Sequence, residues 1–194
     1  MDVQPLTLEG RHVRLEPMSI DHHAGLCGVA FDESLWQWVP TALRTPDDVR
    51  AYIESALRDQ SAGLAVPFVT IERSTGRVIG STRFANISRP DRRVEIGWTF
   101  LARPWQRTAI NTEAKYLMLR HAFETWDCHR VELKTDALNE RSRRAIQRLG
   151  AKEEVTLRCH MQMHTGRMRD TVYYSILRTE WDDVKRRLEL LLTR

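Results

Sequence analysis

Three strand-like stretches, Ala65–Glu72, Val78–Asn86 and Val94–Leu101, follow one another with only turns between them. Ser74-Thr75-Gly76 reads as the hairpin turn between the first two, and Arg89-Pro90-Asp91 separates the second from the third. After Leu101 the pattern changes. Thr112 to Trp126 carries Tyr116, Leu119, Phe123 and Trp126 along one helical stripe, Arg130–Thr135 alternates as a strand, and Asn139–Leu149 reads as a helix ended by Gly150. Hairpins pair strands antiparallel, whereas strand–helix–strand segments carry the chain across a sheet face. A chain with both builds a mixed sheet with helices on its faces.

The remaining segments fit that frame. Leu6, Leu8, Val13 and Leu15 predict one first strand ending at Pro17, and Ser19 is placed to cap a helix through Ala24 to Val29. Thr45-Pro46-Asp47-Asp48 is a helix start: a capping hydroxyl, proline at the first helical position, then acids favoured by the dipole. Val49, Tyr52, Ile53 and Leu57 continue that helix. Lys152–Met161 and Asp170–Leu177 form a final strand pair around a polar turn with Gly166, and Val184, Leu188 and Leu191 mark a short closing helix. The predicted order is β-α-α-β-β-β-α-β-α-β-β-α. With 194 residues, 42% of them apolar, the expectation is a single α/β domain over residues 1–194.

Composition narrows the function classes. The net charge is +4, and only four cations are lysines (Lys115, Lys134, Lys152, Lys185), the rest arginines. That excess reflects either codon usage or arginines kept for phosphate and carboxylate pairing. No tract of five basic residues occurs, so nucleic acid is not the expected partner. Three separated cysteines (Cys27, Cys128, Cys159) make neither a disulfide framework nor a zinc site, and are expected to be reduced and mostly buried. The first residues lack the basic-then-apolar pattern of a signal peptide, and no 18 consecutive residues are apolar, so a cytoplasmic protein without a membrane partner is expected.

The stretch Pro104-Trp105-Gln106-Arg107-Thr108-Ala109-Ile110-Asn111-Thr112-Glu113-Ala114 follows a strand and opens a helix. Helix-opening backbone N–H groups, the dipole and Arg107 suit an anionic phosphate. An ordinary strand–helix connection capped by Asn111 or Thr112 is the alternative.

Five segments in order resemble the GNAT superfamily of acyl-CoA-dependent N-acetyltransferases, in its RimJ/RimL branch, which modifies ribosomal-protein N-termini. They are Leu8–Leu15, Val78–Ser81, Glu95–Trp98 with Pro104-Trp105, Asn139–Ser142 with Leu149-Gly150-Ala151, and Arg169–Ile176. The resemblance covers nearly the whole chain. It implies a central, mostly antiparallel sheet of about seven strands flanked by helices, acetyl-CoA as cosubstrate, and an amine acceptor: a protein N-terminus, or a small amine. A non-catalytic acyl-CoA-binding module is a further alternative, and either a monomer or a homodimer is compatible.

The family's pyrophosphate loop usually reads Gln/Arg-x-x-Gly-x-Gly/Ala, so Ala109 and Asn111 depart from it. By resemblance, backbone groups of Thr99, Phe100 and Leu101 would hold the pantetheine arm, and the segment Gln106, Arg107, Thr108, Ala109, Ile110, Asn111 and Thr112 the pyrophosphate. Asn139 and Ser142 would meet the arm near its thiol.

An amine acceptor arrives as ammonium and must lose a proton before it attacks. Glu95 is the candidate base. Strict alternation would put Val94, Ile96 and Trp98 on one face and Glu95, Gly97 and Thr99 on the other. A structural pairing of Glu95 with Arg83 or Arg92 is the competing reading. The tyrosine that often protonates the leaving thiolate in this superfamily would fall near Ile146, leaving Ser142 as the available hydroxyl. Direct attack is expected, since the cysteines lie outside the thioester-holding segments. Trp36 and Trp38 read either as an acceptor mouth or as core. Arg167 and Arg169 read as a solvated hairpin tip. The spacing of Cys159, His160 and His164 on a strand does not gather metal ligands.

Overall fold

The computed structural model describes residues 1–193. Thirteen principal elements run in order: β1 (Leu8–Glu9), β2 (Val13–Pro17), α1 (His23–Ala30), α2 (Pro46–Ser61), β3 (Val66–Glu72), β4 (Val78–Ser88), β5 (Arg93–Leu101), α3 (Ala109–Arg120), β6 (Arg130–Asp136), α4 (Glu140–Arg148), β7 (Lys152–Gln162), β8 (Met168–Leu177) and α5 (Trp181–Leu192). The strands form one sheet in the order β1-β2-β3-β4-β5-β6-β8-β7. The β5–β6 pair is parallel and all other neighbours are antiparallel. The expected mixed sheet with helical layers is present, with eight strands where about seven were expected.

The extra strand arises because the first predicted strand folds into a hairpin. Gly10 N–H donates to the Val13 carbonyl at 2.9 Å, and Leu8 comes to lie opposite Leu15. The Glu113 carboxylate of α3 occupies the inside of this turn, accepting from the N–H groups of Arg11 (2.7 Å), His12 (2.7 Å) and Val13 (2.8 Å). A Cβ on Gly10 would stand 2.4 Å from Glu113 Cδ, so any larger residue there would have to displace that carboxylate.

Local signals were followed elsewhere. Thr45 Oγ1 accepts from the Asp48 N–H at 3.1 Å, the capping hydroxyl that the Thr-Pro-Asp-Asp start predicts, and Asp48 also accepts back from Thr45 N–H at 2.9 Å, a reciprocal cap. Gly150 adopts φ +104° beyond α4. The helix expected from Thr112 starts earlier, at Ala109. It widens over His121–Thr125, where Trp126 N–H reaches the His121 carbonyl at 3.0 Å. That extra residue per turn seats Trp126 in the core, 4.6 Å from the Phe84 ring.

Two apolar layers cover the sheet. One packs Val94, Ile96, Phe84 and Leu133 against Leu117, Met118 and Phe123 from the α3 side and Trp181, Val184 and Leu188 of α5. The other packs Val69, Ile71 and Phe100 against Leu26 of α1 and Val49 and Ile53 of α2. The predicted Val184 and Leu188 stripe is therefore a packing stripe. Cys128 is buried as expected, but Cys27 on α1 is half-buried, and Cys159 is exposed because β7 is an edge strand whose outer face meets solvent. No helix among the described residues is long and apolar enough to cross a membrane.

Candidate active site

The parallel pairing of β5 with β6 is short. Only Arg93, Val94 and Glu95 find partners, opposite Arg130, Val131 and Glu132. From Ile96 to Leu101, β5 keeps its β4 neighbour but has no β6 neighbour, so the two strands splay. A β-bulge in β5 coincides with the split: Arg83 pairs with Gly97 and Ser81 with Phe100, two residues of β5 opposing one of β4, with Trp98 at φ +48°.

The bulge shifts the side-chain phase and corrects strict alternation. Thr99 turns toward α3, where it accepts from Lys115 Nζ at 2.6 Å. Trp98 lies over the Arg83 guanidinium, on the side of Tyr52 of α2. Phe100 is buried against Trp36 (5.0 Å between ring centroids) and Tyr52. Of the residues assigned to the pantetheine arm, Thr99, Phe100 and Leu101 sit on the open edge of β5. The Leu101 carbonyl also accepts from Gln106 Nε2 at 2.7 Å.

The loop after β5 delivers the chain to α3. Arg107 takes φ +64°, the single left-handed step in this loop, and Thr108 is the cap: its Oγ1 accepts from Ile110 N–H at 3.3 Å. The alternative reading made Asn111 or Thr112 the cap. Both lie inside the helix instead, because Thr108, not they, has the extended backbone of a cap. Ala109 and Asn111 therefore occupy helical positions that need no glycine. Arg107, Thr108 and Ala109 are exposed and Asn111 is half-buried. The first-turn N–H groups have no helical carbonyl behind them, and only that of Ile110 is taken by the cap. Ile110 and Thr112 face inward, Thr112 Oγ1 accepting from Arg148 Nη2 at 2.8 Å, which ties α3 to α4. Gln106 also bridges to α4, accepting from Arg141 Nη1 at 2.8 Å.

Glu95 lies where the strands part, 2% exposed. Its Oε2 accepts from Asn86 Nδ2 at 2.8 Å and pairs with Lys134 Nζ at 3.0 Å. Its pairing is thus with Lys134, and neither Arg83 nor Arg92 reaches it: Arg83 goes to Asp59 and Arg92 to Asp127. Oε1 has no partner among the described residues. A Cβ on residue 97 would stand 2.9 Å from it, so Gly97 leaves that oxygen its space. Across the split, Asn139 caps α4, its Oδ1 accepting from Ser142 N–H at 3.0 Å, and leaves the Ser142 hydroxyl uncommitted.

The two tryptophans divide. Trp36 is core, its Nε1–H donating to the Ala30 carbonyl at 2.7 Å. Trp38 is half-buried and meets the β7–β8 hairpin: its ring faces the Arg167 guanidinium and its carbonyl accepts from Arg169 Nη1 at 3.3 Å. The expected solvated tip is corrected here, since Arg169 is buried and Arg167 pairs with the fully buried Asp136 at the end of β6. Desolvation pulls Arg169 below the usual guanidinium range. Lys134, Asn86 and Asp136 escaped sequence reasoning. Lys134 alternates with apolar Val131 and Leu133, which marks its face but not its partner.

A family profile described as "Acetyltransferase (GNAT) domain" matches residues 12–152. The chain belongs to the GNAT acetyltransferases. It is similar to YdaF of Bacillus subtilis (strain 168), provisionally named a ribosomal N-acetyltransferase, with 32% identity over 57% of this chain and 59% of that protein. A crystal structure from T. thermophilus, provisionally titled an acetyltransferase, shares 36% identity over 99% of this chain and all of the other, with a TM-score of 0.89. Mycobacterium smegmatis RimJ, solved with CoA-disulfide, shares the fold at a TM-score of 0.85, 21% identity, and coverage of 96% and 95%. The chain is an N-acetyltransferase of GNAT type.

Proposed function

We propose that this GNAT enzyme transfers the acetyl group of acetyl-CoA to a primary amine, with a protein N-terminus as the acceptor, by direct attack in a ternary complex. The observation that carries the reading is the split of β5 from β6 after Glu95, beside the free first turn of α3. An extended acyl-pantetheine arm fits a gap where one edge of β5 lacks its sheet partner, and a pyrophosphate fits exposed helix N–H groups supplemented by Arg107. The fit rests on this chain's own backbone and does not depend on the glycines of the usual loop.

When bound, acetyl-CoA supplies an activated thioester. The backbone N–H groups of the bulged segment Trp98–Leu101 are fixed donors for the carbonyl oxygen as negative charge develops on it. Glu95 Oε1 takes the proton of the incoming ammonium, directly or through one water, while Lys134 and Asn86 hold the carboxylate by its other oxygen. Ser142 Oγ lies at the start of α4, across the split, and donates to the departing thiolate. The acceptor enters past Trp38 and Arg167, which meet at the β7–β8 hairpin.

Calorimetric titration with acetyl-CoA tests the first half. Micromolar affinity is expected, and affinity weaker than about 1 mM, about −4 kcal/mol, refutes it. Thiol release with ribosomal-protein N-terminal peptides against free amines tests the second. Turnover confined to small amines would assign the enzyme to small-molecule acetylation, and no turnover with either would leave an acyl-CoA-binding protein.

A further inference from the structure

Lys115 is a buried cation without an acid. It sits on the sheet-facing side of α3, 5% exposed, and its Nζ donates to Thr82 Oγ1 at 3.1 Å and Thr99 Oγ1 at 2.6 Å. The charged groups on surrounding elements are engaged elsewhere. On α3, Glu113 is turned to the β1–β2 hairpin and Arg120 to the Tyr116 ring. On β4, Arg83 faces Tyr52 and Asp59 of α2. On β5, Glu95 pairs with Lys134. β3 contributes the uncharged Thr70. A cavity of about 10 Å³, bordered by Thr70, Thr82, Thr99, Asn111 and Lys115, adjoins the amine and leads toward the first turn of α3. It has room for about one water.

Burial with no countercharge favours the neutral amine, and desolvation brings Lys115 down to about 7. The charged form is then restored by any anion that settles nearby. Lys115 is one turn beyond Asn111, roughly 6 Å along the axis, and a helical side chain leans back toward the N-terminus. That places the amine within roughly 10 Å of an anion held at the first turn of α3.

We propose that Lys115 is the buried countercharge of the cofactor phosphates and raises its proton occupancy from solvent when acyl-CoA binds at the N-terminus of α3. The inference rests on the CoA-binding reading above. The balance is simple: the neutral amine gains a solvent proton and becomes an ammonium, with no bond broken in protein or ligand. Below the free enzyme's transition near pH 7 the amine is charged in both states, and binding takes up no proton there. Above it, binding draws Lys115 toward the ammonium form, so affinity falls as pH rises and levels off once the amine is neutral in both states. A phosphate charge roughly 10 Å away at an effective dielectric of about 20 gives an effect on the order of tenfold.

The experiment is calorimetric titration of acetyl-CoA at pH 6.0, 7.0 and 8.0, each in two buffers of different ionisation enthalpy, with wild type and Lys115→Met. The expected result is little uptake on Lys115's account at pH 6.0 and uptake of about half a proton at pH 8.0, with Kd several-fold weaker at the higher pH. The Lys115 part of both effects should be absent in Lys115→Met, which keeps only the contribution of the ligand's own phosphates. Binding with no uptake at pH 8.0, or with uptake unchanged in Lys115→Met, overturns the inference and leaves the cofactor reading intact. No binding by wild type overturns both. If Lys115→Met does not fold, Thr82→Val decides: losing one acceptor of the ammonium should move the uptake window to lower pH, and an unmoved window overturns the inference.

Discussion

Replacing Glu113 with Gln should damage this protein far more than the loss of one charge from a helix would. The carboxylate accepts three backbone N–H groups, one on Oε1 and two on Oε2, and through them holds the β1–β2 hairpin against α3. A glutamine keeps one acceptor. Placed with its oxygen in the Oε2 position, it retains the bonds from His12 and Val13 but turns an NH₂ toward the Arg11 N–H, donor against donor at a contact now 2.7 Å long. The two retained bonds lose their charge assistance, about 1 kcal/mol each, and the orphaned donor costs about 1–3 kcal/mol more. Glu113→Gln should therefore destabilise by about 3–5 kcal/mol, a fall in Tm of roughly 10–15 °C for a chain of this size. Urea unfolding with fitted m-values measures it. Gly10→Ala presses on the same lock from the other side, where a Cβ meets the carboxyl group at 2.4 Å, and should also destabilise. A loss below about 1 kcal/mol in Glu113→Gln would refute the reasoning, because it would mean that the hairpin N–H groups find other partners at little cost.

Further outcomes are expected. Glu95→Gln should lower kcat strongly at neutral pH and less at high pH, where free amine is abundant; a pH–rate profile unchanged from wild type removes Glu95 as the base. Ser142→Ala should lower kcat by less than about tenfold, because a thiolate leaves readily without a donor, and thiol-release kinetics measure it. Lys115 should make stability rise with pH: the folded group sits at about 7 and the unfolded one near 10.4, so the unfolded chain binds more protons between these values. Lys115→Met should consequently be more stable than wild type at pH 7 by roughly 2–3 kcal/mol after its lost hydrogen bonds are counted, and the gap should narrow toward pH 10 in urea titrations. A gap independent of pH would contradict the burial argument.

The order of elements after the first strand, the capping hydroxyl of Thr45, the stop at Gly150 and the loop opening α3 were legible in the sequence, because each depends on residues within a few positions of one another. The family resemblance added which residues would hold the cofactor and the name of the chemistry. Tertiary structure alone decided three things. It turned the first strand into a hairpin, since the carboxylate that fills the turn comes from a residue about a hundred positions away. It moved Trp98 and Thr99 to faces opposite those alternation gives, since the bulge in β5 depends on its register with β4. It chose Lys134 over Arg83 or Arg92 as the partner of Glu95, since parallel pairing of β5 with β6 requires the intervening α3 crossover to be in place. Local chemistry fixes caps, turns and periodicity. Which charged groups meet across a sheet is set by long-range packing, which a single sequence does not display.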